Sequence, residues 1–172
     1  MARPPITWVT TDWHFGHRRM EEICGRPKDF ELEIDRRHRA VIAAQDTVVN
    51  LGDVLMYSEH GWQVMIALFN NTHRSSVLVL GNHDKKTKTW YRGTLAFDVV
   101  CDGIIIDGCL LTHKPTPPPP GLLNIHGHWH NLGDRINESP GYDPARQFCV
   151  SLEHTGYRPL KLADIKRKME AK

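Results

Sequence analysis

The chain has 172 residues, enough for one buried core and short for two, so a single domain over residues 1–172 is expected. Lysine and arginine number 22 against 20 acidic residues, so bulk charge selects neither a nucleic-acid nor a membrane partner. The opening MARPPITWVTTDWHFGH lacks an apolar signal core and no run nears the roughly 20 apolar residues of a membrane span, which argues against membrane insertion and makes a cytoplasmic location the expectation.

In chain order, the apolar, β-branched runs 6–10, 47–51, 76–80, 97–100, 103–106, 109–112, 122–126 and 148–152 read as buried strands. Between the first two, residues 30–44 carry helical spacing, with Phe30, Ile34, Val41 and Ile42 on one face. Residues 60–71 repeat the pattern with Trp62, Met65, Ile66 and Phe69. The first half is therefore β-α-β-α-β with parallel pairing. The second half, mostly adjacent strands, is expected to pair antiparallel. Thr116-Pro-Pro-Pro-Pro-Gly121 reads as a stiff loop between two strands rather than as a proline-rich ligand for a partner domain. Cys24, Cys101, Cys109 and Cys149 have no metal or disulfide spacing and read as reduced thiols in or near the core.

Each early strand ends in a polar cluster: Thr11-Asp12-Trp13-His14-Phe15-Gly16-His17, then Gly52-Asp53, then Gly81-Asn82-His83-Asp84. Ligands bind beyond the carboxyl ends of strands in open α/β sheets, so these clusters should converge. His113 closes a later strand, and the run Ile125-His126-Gly127-His128-Trp129-His130-Asn131 places imidazoles at alternate positions. Imidazole mixed with carboxylate suits manganese, iron, nickel or zinc, whereas an all-oxygen set would suit magnesium or calcium. The candidate ligands are too many for one ion. Two divalent ions about 3.5–4 Å apart, sharing a carboxylate, would use them.

The ordered series Asp12-Trp13-His14, Gly52-Asp53, Gly81-Asn82-His83-Asp84, His113 and Gly127-His128-Trp129-His130 resembles the calcineurin-like metallophosphoesterase superfamily in its small single-domain bacterial and phage form. The stretch VSLEHTGYRPLKLADI is similar to the closing strand and turn of those members. The resemblance implies two stacked mixed β-sheets flanked by helices, a four-layer αββα sandwich. It implies that Asp12, His14 and His130 hold one ion, that Asn82, His113 and His128 hold the other, and that Asp53 bridges them. It also implies phosphate-ester hydrolysis by a hydroxide shared between the ions, with His83 protonating the leaving oxygen. Asp84 would orient His83 or raise its pKa. His17, in the Asp-x-His-Phe-Gly-His form of the small members, would reach the phosphate or a metal-bound water.

His126 is expected to support the ligands by a hydrogen bond to a neighbour rather than to bind metal. His38, His60, His73 and His154 are expected on the surface or on helices, outside the site. Arg18 and Arg19 follow the first motif and Lys85, Lys86 and Lys88 the third, so Arg18, Lys85 and Lys86 are candidate contacts to an anionic substrate. A helix opening at residues 82–85 would add an N-terminus that favours phosphate. Trp13, Tyr91 and Trp129 serve either core packing or base stacking.

No Asp-Arg-Gly element follows Gly52-Asp53, which sets the chain apart from protein serine/threonine phosphatases. Tyr57 lies too far past that motif for a purple acid phosphatase. Gaps of roughly 15–40 residues between motifs leave no room for a cap domain. An open site, a small or nucleotide-like phosphodiester as substrate, and manganese as the leading ion are the expectation. Phosphomonoesters and nucleic acid are the alternatives as substrate, and a non-catalytic scaffold on the same fold is the alternative in function. Oligomeric state leaves no signature in the sequence.

Overall fold

The computed structural model describes residues 3–56, 63, 75–131 and 141–171. The expected helix over 60–71 lies outside these, apart from Gln63, as do Tyr57, His60 and His73.

Two mixed sheets flanked by helices form the fold. The first comprises β1 (Thr7–Thr10), β2 (Thr47–Asn50), β3 (Ser75–Val79), β4 (Val99–Cys101) and β9 (Leu160–Lys161), in the order β4-β3-β2-β1-β9. Strands β1 to β4 run parallel, while β9 adds antiparallel to β1. The second sheet is β5 (Ile104–Ile106), β6 (Cys109–Thr112), β7 (Leu123–His126) and β8 (Gln147–Cys149), in that order.

Alternation along the first-sheet strands builds its two faces. Val9, Val49, Val77 and Val79 meet Cys109, Leu111 and Ile125 of the second sheet in one core, to which α5 (Leu162–Glu170) contributes Leu162, Ile165 and Met169. On the opposite face, Leu78 joins Trp13, Phe15, Val54 and Leu55. That second core is covered by Met20 and Cys24 of α1 (Met20–Cys24), Phe30 and Ile34 of α2 (Phe30–Arg39), and Tyr91 and Leu95 of α3 (Lys88–Leu95).

Four expectations are corrected. Helix α2 ends at Arg39, before Val41. The chain then turns, with Val41 and Ile42 amides both donating to His38 O, so the helical face no longer applies and Val41 is 42% exposed while Ile42 stays buried. The turn at Gly81–Asp84 does not open a helix. Helix α3 starts only at Lys88, where Thr87 Oγ1 accepts the Trp90 amide at 3.1 Å. Leu152 lies past β8 and opens α4 (Leu152–Thr155).

Fourth, the second sheet is antiparallel only between β5 and β6, because β6, β7 and β8 run parallel. The proline-rich loop is a crossover without a helix that carries the chain back to the start of β7. Arg146 Nη2 ties it down by donating to the carbonyls of Pro118, Pro119 and Leu122 at 2.9, 2.6 and 3.0 Å. Parallel pairing has a direct consequence: Thr112 is in register with His126, so the residues following β6 and β7 emerge at one end of the sheet.

Candidate metal centre

The motif loops continue the first sheet beyond its strands. Asp12 and His14 amides donate to Gly52 and Asp53 carbonyls, both at 2.9 Å, and Phe15 bridges to Leu55. Backbone contact this close demands glycine. A Cβ on Gly52, which has φ +99°, would lie 2.4 Å from Gly81 N, and one on Gly127 would lie 2.1 Å from Thr11 Oγ1 and 2.6 Å from Asp12 Oδ2. The candidate ligands themselves are bent into the left-handed region, with φ of 52° at Asp12, 50° at His14, 54° at Asp53, 72° at His128 and 28° at His130. Strained backbone of this kind costs about 1–3 kcal/mol per residue and collects at functional sites.

Seven candidate ligands converge in two groups. Ligand atoms of Asp12, His14 and His130 lie within 4.8 Å of one another, as do those of Asp53, His113 and His128. In the first group, His14 Nε2 is 3.2 Å from His130 Nε2, and His130 Nε2 is 3.9 Å from Asp12 Oδ1. In the second, His113 Nε2 is 3.0 Å from Asn82 Oδ1, 3.2 Å from His128 Nδ1 and 3.3 Å from Asp53 Oδ2. Asp53 Oδ2 also lies 3.7 Å from His14 Nε2, so one carboxylate reaches both groups.

The donor set fits divalent cations. His113 Nδ1 lies 2.8 Å from Leu51 O, which assigns it the proton of the neutral ring and leaves a lone pair on Nε2. That lone pair faces an amide oxygen, a carboxylate and another imidazole, an arrangement satisfied by a positive charge at the centre. Asp12 Oδ1 and His14 Nδ1 are buried without a hydrogen-bond partner among the described residues. Asn82 and His113 with Asp53 and His128 would hold one ion, and Asp12, His14 and His130 the other.

The electrostatics divide the candidate ligands: two imidazoles are held neutral, while against burial carboxylates favour the cationic form of His113 and of His130, the latter raised to about 10. Burial raises the Asp53 carboxyl, but the His113 hydrogen bond, His14 and the His83 amide outweigh it and hold it well below the ordinary carboxylate range. His113 is disfavoured as a cation by burial and favoured more strongly by Asp53, Asp12 and the Leu51 carbonyl, with a net rise. Burial lowers His14 well below the usual imidazole value and also lowers His128, which keeps both rings neutral and able to bind metal.

The other candidates sit around this cluster. His83 is exposed, its ring 5.3 Å from that of His14 and its amide donating to Asp53 Oδ1 at 2.7 Å. His17 is half-buried with its ring 5.7 Å from His14, and burial lowers its pKa. Asp84 makes no hydrogen bond to His83 among the described residues. Its buried carboxylate accepts the amides of Asp53 and Gly81 at 2.8 Å, Val54 at 3.2 Å and the Tyr91 hydroxyl at 3.4 Å, which clamps the second motif to the third. Burial, with Asp53 nearby, raises its pKa.

Arg18 and Lys85 are exposed and Lys86 half-buried on the turns after their motifs. Arg19 pairs with Glu22 and Lys88 with Asp102. Trp13 and Tyr91 are core residues, so neither stacks on a base, while Trp129 packs its ring on His126 and Tyr142. His126 is fully buried, bonds Gly127 O through Nδ1 at 2.9 Å, and is lowered by burial to about 4. His38 is on a helix, as expected, but buried rather than on the surface, with Nε2 3.1 Å from Thr10 Oγ1. His154 is exposed.

Sequence reasoning missed three supports. Ser151 Oγ donates to Asp12 Oδ2 at 3.1 Å, Glu153 Oε1 lies 3.1 Å from His130 Nδ1, and Arg26 is buried beside both loops. Ser151 and Glu153 lie in the stretch VSLEHTGYRPLKLADI, to which the sequence assigns no role in the site, and Arg26 lies outside every motif.

A family model described as calcineurin-like phosphoesterase matches residues 6–160. The gene 66 protein of Mycobacterium phage L5 is 33% identical over 81 residues, which are 45% of this chain and 39% of that protein, so the likeness spans about two fifths of the relative. The crystal structure of AQ665 from Aquifex aeolicus, a protein of unknown function, is similar with a TM-score of 0.70 at 24% identity, covering 95% of this chain and 98% of that one. At that identity the likeness concerns the fold.

Proposed function

The chain belongs to the calcineurin-like phosphoesterase family, whose members hydrolyse phosphate esters with divalent metal ions, and from that premise we propose that it is a phosphodiesterase acting on small or nucleotide-like substrates at a two-ion centre. The observation that carries the two-ion reading is Asp53 Oδ2, within 3.3 Å of His113 Nε2 and 3.7 Å of His14 Nε2, placed between the two ligand groups. When bound, two such ions supply charge neutralisation toward phosphoryl oxygens and lower the pKa of water, and manganese is the ion we assign first.

The chain's own residues account for the rest. Asp53, held well below the ordinary carboxylate range, stays ionised at neutral pH and offers negative charge to both groups. His83, exposed beside His14, donates a proton to the departing oxygen, and His17 faces the same side of the cluster. A diester is favoured over a monoester because Arg26, the cation beside the cluster, is committed to backbone carbonyls and Glu153, while Arg19 pairs with Glu22 and Lys88 with Asp102. Arg18, Lys85 and Lys86, on the turns after their motifs, are the contacts we assign to the substrate's anionic flank. No helix among the described residues is long and apolar enough to cross a membrane.

Turnover of bis-p-nitrophenyl phosphate against p-nitrophenyl phosphate, with manganese, tests this reading. Faster diester hydrolysis supports it. A faster monoester makes the chain a monoesterase, and bound manganese with no turnover of either ester removes the enzyme reading.

A further inference from the structure

Both sheets contribute ligands, yet the two ligand groups are braced differently. In the group containing His113, the ring is oriented by a backbone carbonyl, Leu51 O at 2.8 Å. In the group containing Asp12, His14 and His130, orientation comes from a buried ion pair between Arg26 and Glu153, neither of them a candidate ligand. Arg26 Nε donates to Glu153 Oε1 at 2.8 Å, with side-chain exposures of 0% and 7%. The same guanidinium donates through Nη2 to Asp12 O at 2.7 Å and through Nη1 to Trp13 O at 3.0 Å, and it lies 5.0 Å above the Phe30 ring. Glu153 Oε1 in turn lies 3.1 Å from His130 Nδ1, the nitrogen turned away from the ligand group.

Resting on the two-ion reading, we propose that Arg26 and Glu153 are positioning residues that set the affinity of one ion only, the one held by Asp12, His14 and His130. Arg26 fixes the loop carrying Asp12 and His14 through its carbonyls. Glu153 fixes the ring and tautomer of His130, so that Nε2 presents its lone pair inward. Neither touches His113, His128 or Asn82.

The ligand atoms of Cys24, His130 and Glu153 also lie within 4.8 Å of one another. They do not make a third metal site, because Arg26 occupies that space: Nη2 is 3.5 Å from His130 Nδ1, and a fixed guanidinium repels a cation there.

The test is Glu153→Gln, which keeps the shape and one accepting oxygen while removing the charge. Its binding of manganese and of cobalt(II) is titrated by calorimetry and by the cobalt visible spectrum. Loss of an orienting partner of a metal-bound histidine typically lowers affinity by about 10–100-fold. The expected result is one binding step weakened by that factor and one left as in the wild type, with a changed cobalt spectrum for the weakened site alone. Denaturation of the chelated proteins is measured alongside, and Arg26→Lys, which retains the charge but cannot reach both carbonyls and Glu153, is expected to weaken the same step.

Equal weakening of both steps in Glu153→Gln, or of neither, overturns the proposal. A structural role alone would lower the denaturation midpoint and both affinities together. If the wild type itself binds fewer than two ions, the two-ion reading falls, and this inference with it.

Discussion

Asp84→Asn is the sharpest single substitution for separating two roles of one carboxylate. Oδ2 accepts the Asp53 and Gly81 amides at 2.8 Å, and Oδ1 accepts Val54 N at 3.2 Å and the Tyr91 hydroxyl at 3.4 Å. Asparagine offers one oxygen. Placed at the Oδ2 position it keeps the two short bonds but without the charge, and its NH2 then opposes the Val54 N–H. A buried donor left unsatisfied costs about 1–3 kcal/mol, and loss of charge on the remaining bonds adds about 1 kcal/mol. The neutral amide recovers part of this, because burial already disfavours the Asp84 carboxylate. The net expectation is a loss of about 2–3 kcal/mol, or roughly 4–12 °C in Tm for a chain of this size. Urea denaturation followed by circular dichroism, with chelator present, measures it. Manganese affinity should fall as well, because the Asp53 amide is one of the clamped groups. If Asp84 instead acted by orienting His83, the variant would unfold like the wild type, within about 0.5 kcal/mol, and would lose activity only on esters with poor leaving groups. That outcome would refute the clamp.

Three further outcomes are expected. Gly127→Ala drives a methyl group to 2.1 Å from Thr11 Oγ1 and 2.6 Å from Asp12 Oδ2, so it should cost about 1–3 kcal/mol and weaken manganese binding; an unchanged unfolding midpoint and ion affinity would contradict the close approach of these loops. His83→Ala should leave ion stoichiometry intact and slow alkyl-leaving esters by about 100-fold or more while p-nitrophenyl esters lose less, and equal losses would remove His83 as the acid. Asp46 accepts Arg3, the Ile6 and Ala43 amides and Trp8 Nε1, and the Arg3 hydrogen bond, opposed by burial and aided by those donors, holds its carboxyl far below the ordinary value. A depressed folded pKa stabilises fully above the unfolded value of about 3.9, and that stability declines as pH falls from there and is lost through the folded pKa. Asp46→Asn should therefore be less stable than the wild type at pH 7, with the gap closing below about pH 4; a constant gap across an acid denaturation series would exclude the linkage.

The candidate ligands were legible because their chemistry is unusual for strand ends: histidine, aspartate and asparagine after apolar runs have few other uses in such numbers. Their supports were not. Glu153 lies in a stretch similar to the closing strand and turn of the small members, but its type and spacing assign it no partner, and only the tertiary fold brings it to His130. Arg26 acts on backbone carbonyls, which leave no trace in side-chain patterns. The parallel course of β6 and β7 was hidden for a related reason: a crossover is usually signalled by a helix, and here polyproline takes its place. Had that pair been antiparallel, His113 and His128 would have emerged at opposite ends of the sheet. Helix periodicity misled at Val41, where the chain had already turned.

The left-handed bends at Asp12, His14, Asp53, His128 and His130 set this protein's evolvability at odds with its durability. Glycine at any of the five would relax the chain and delete a candidate ligand in the same step. A laboratory selection for heat resistance, run on metal-free material, would therefore drift toward sturdier proteins that no longer bind ions. Only a screen that rewards ion capture would hold these positions in place.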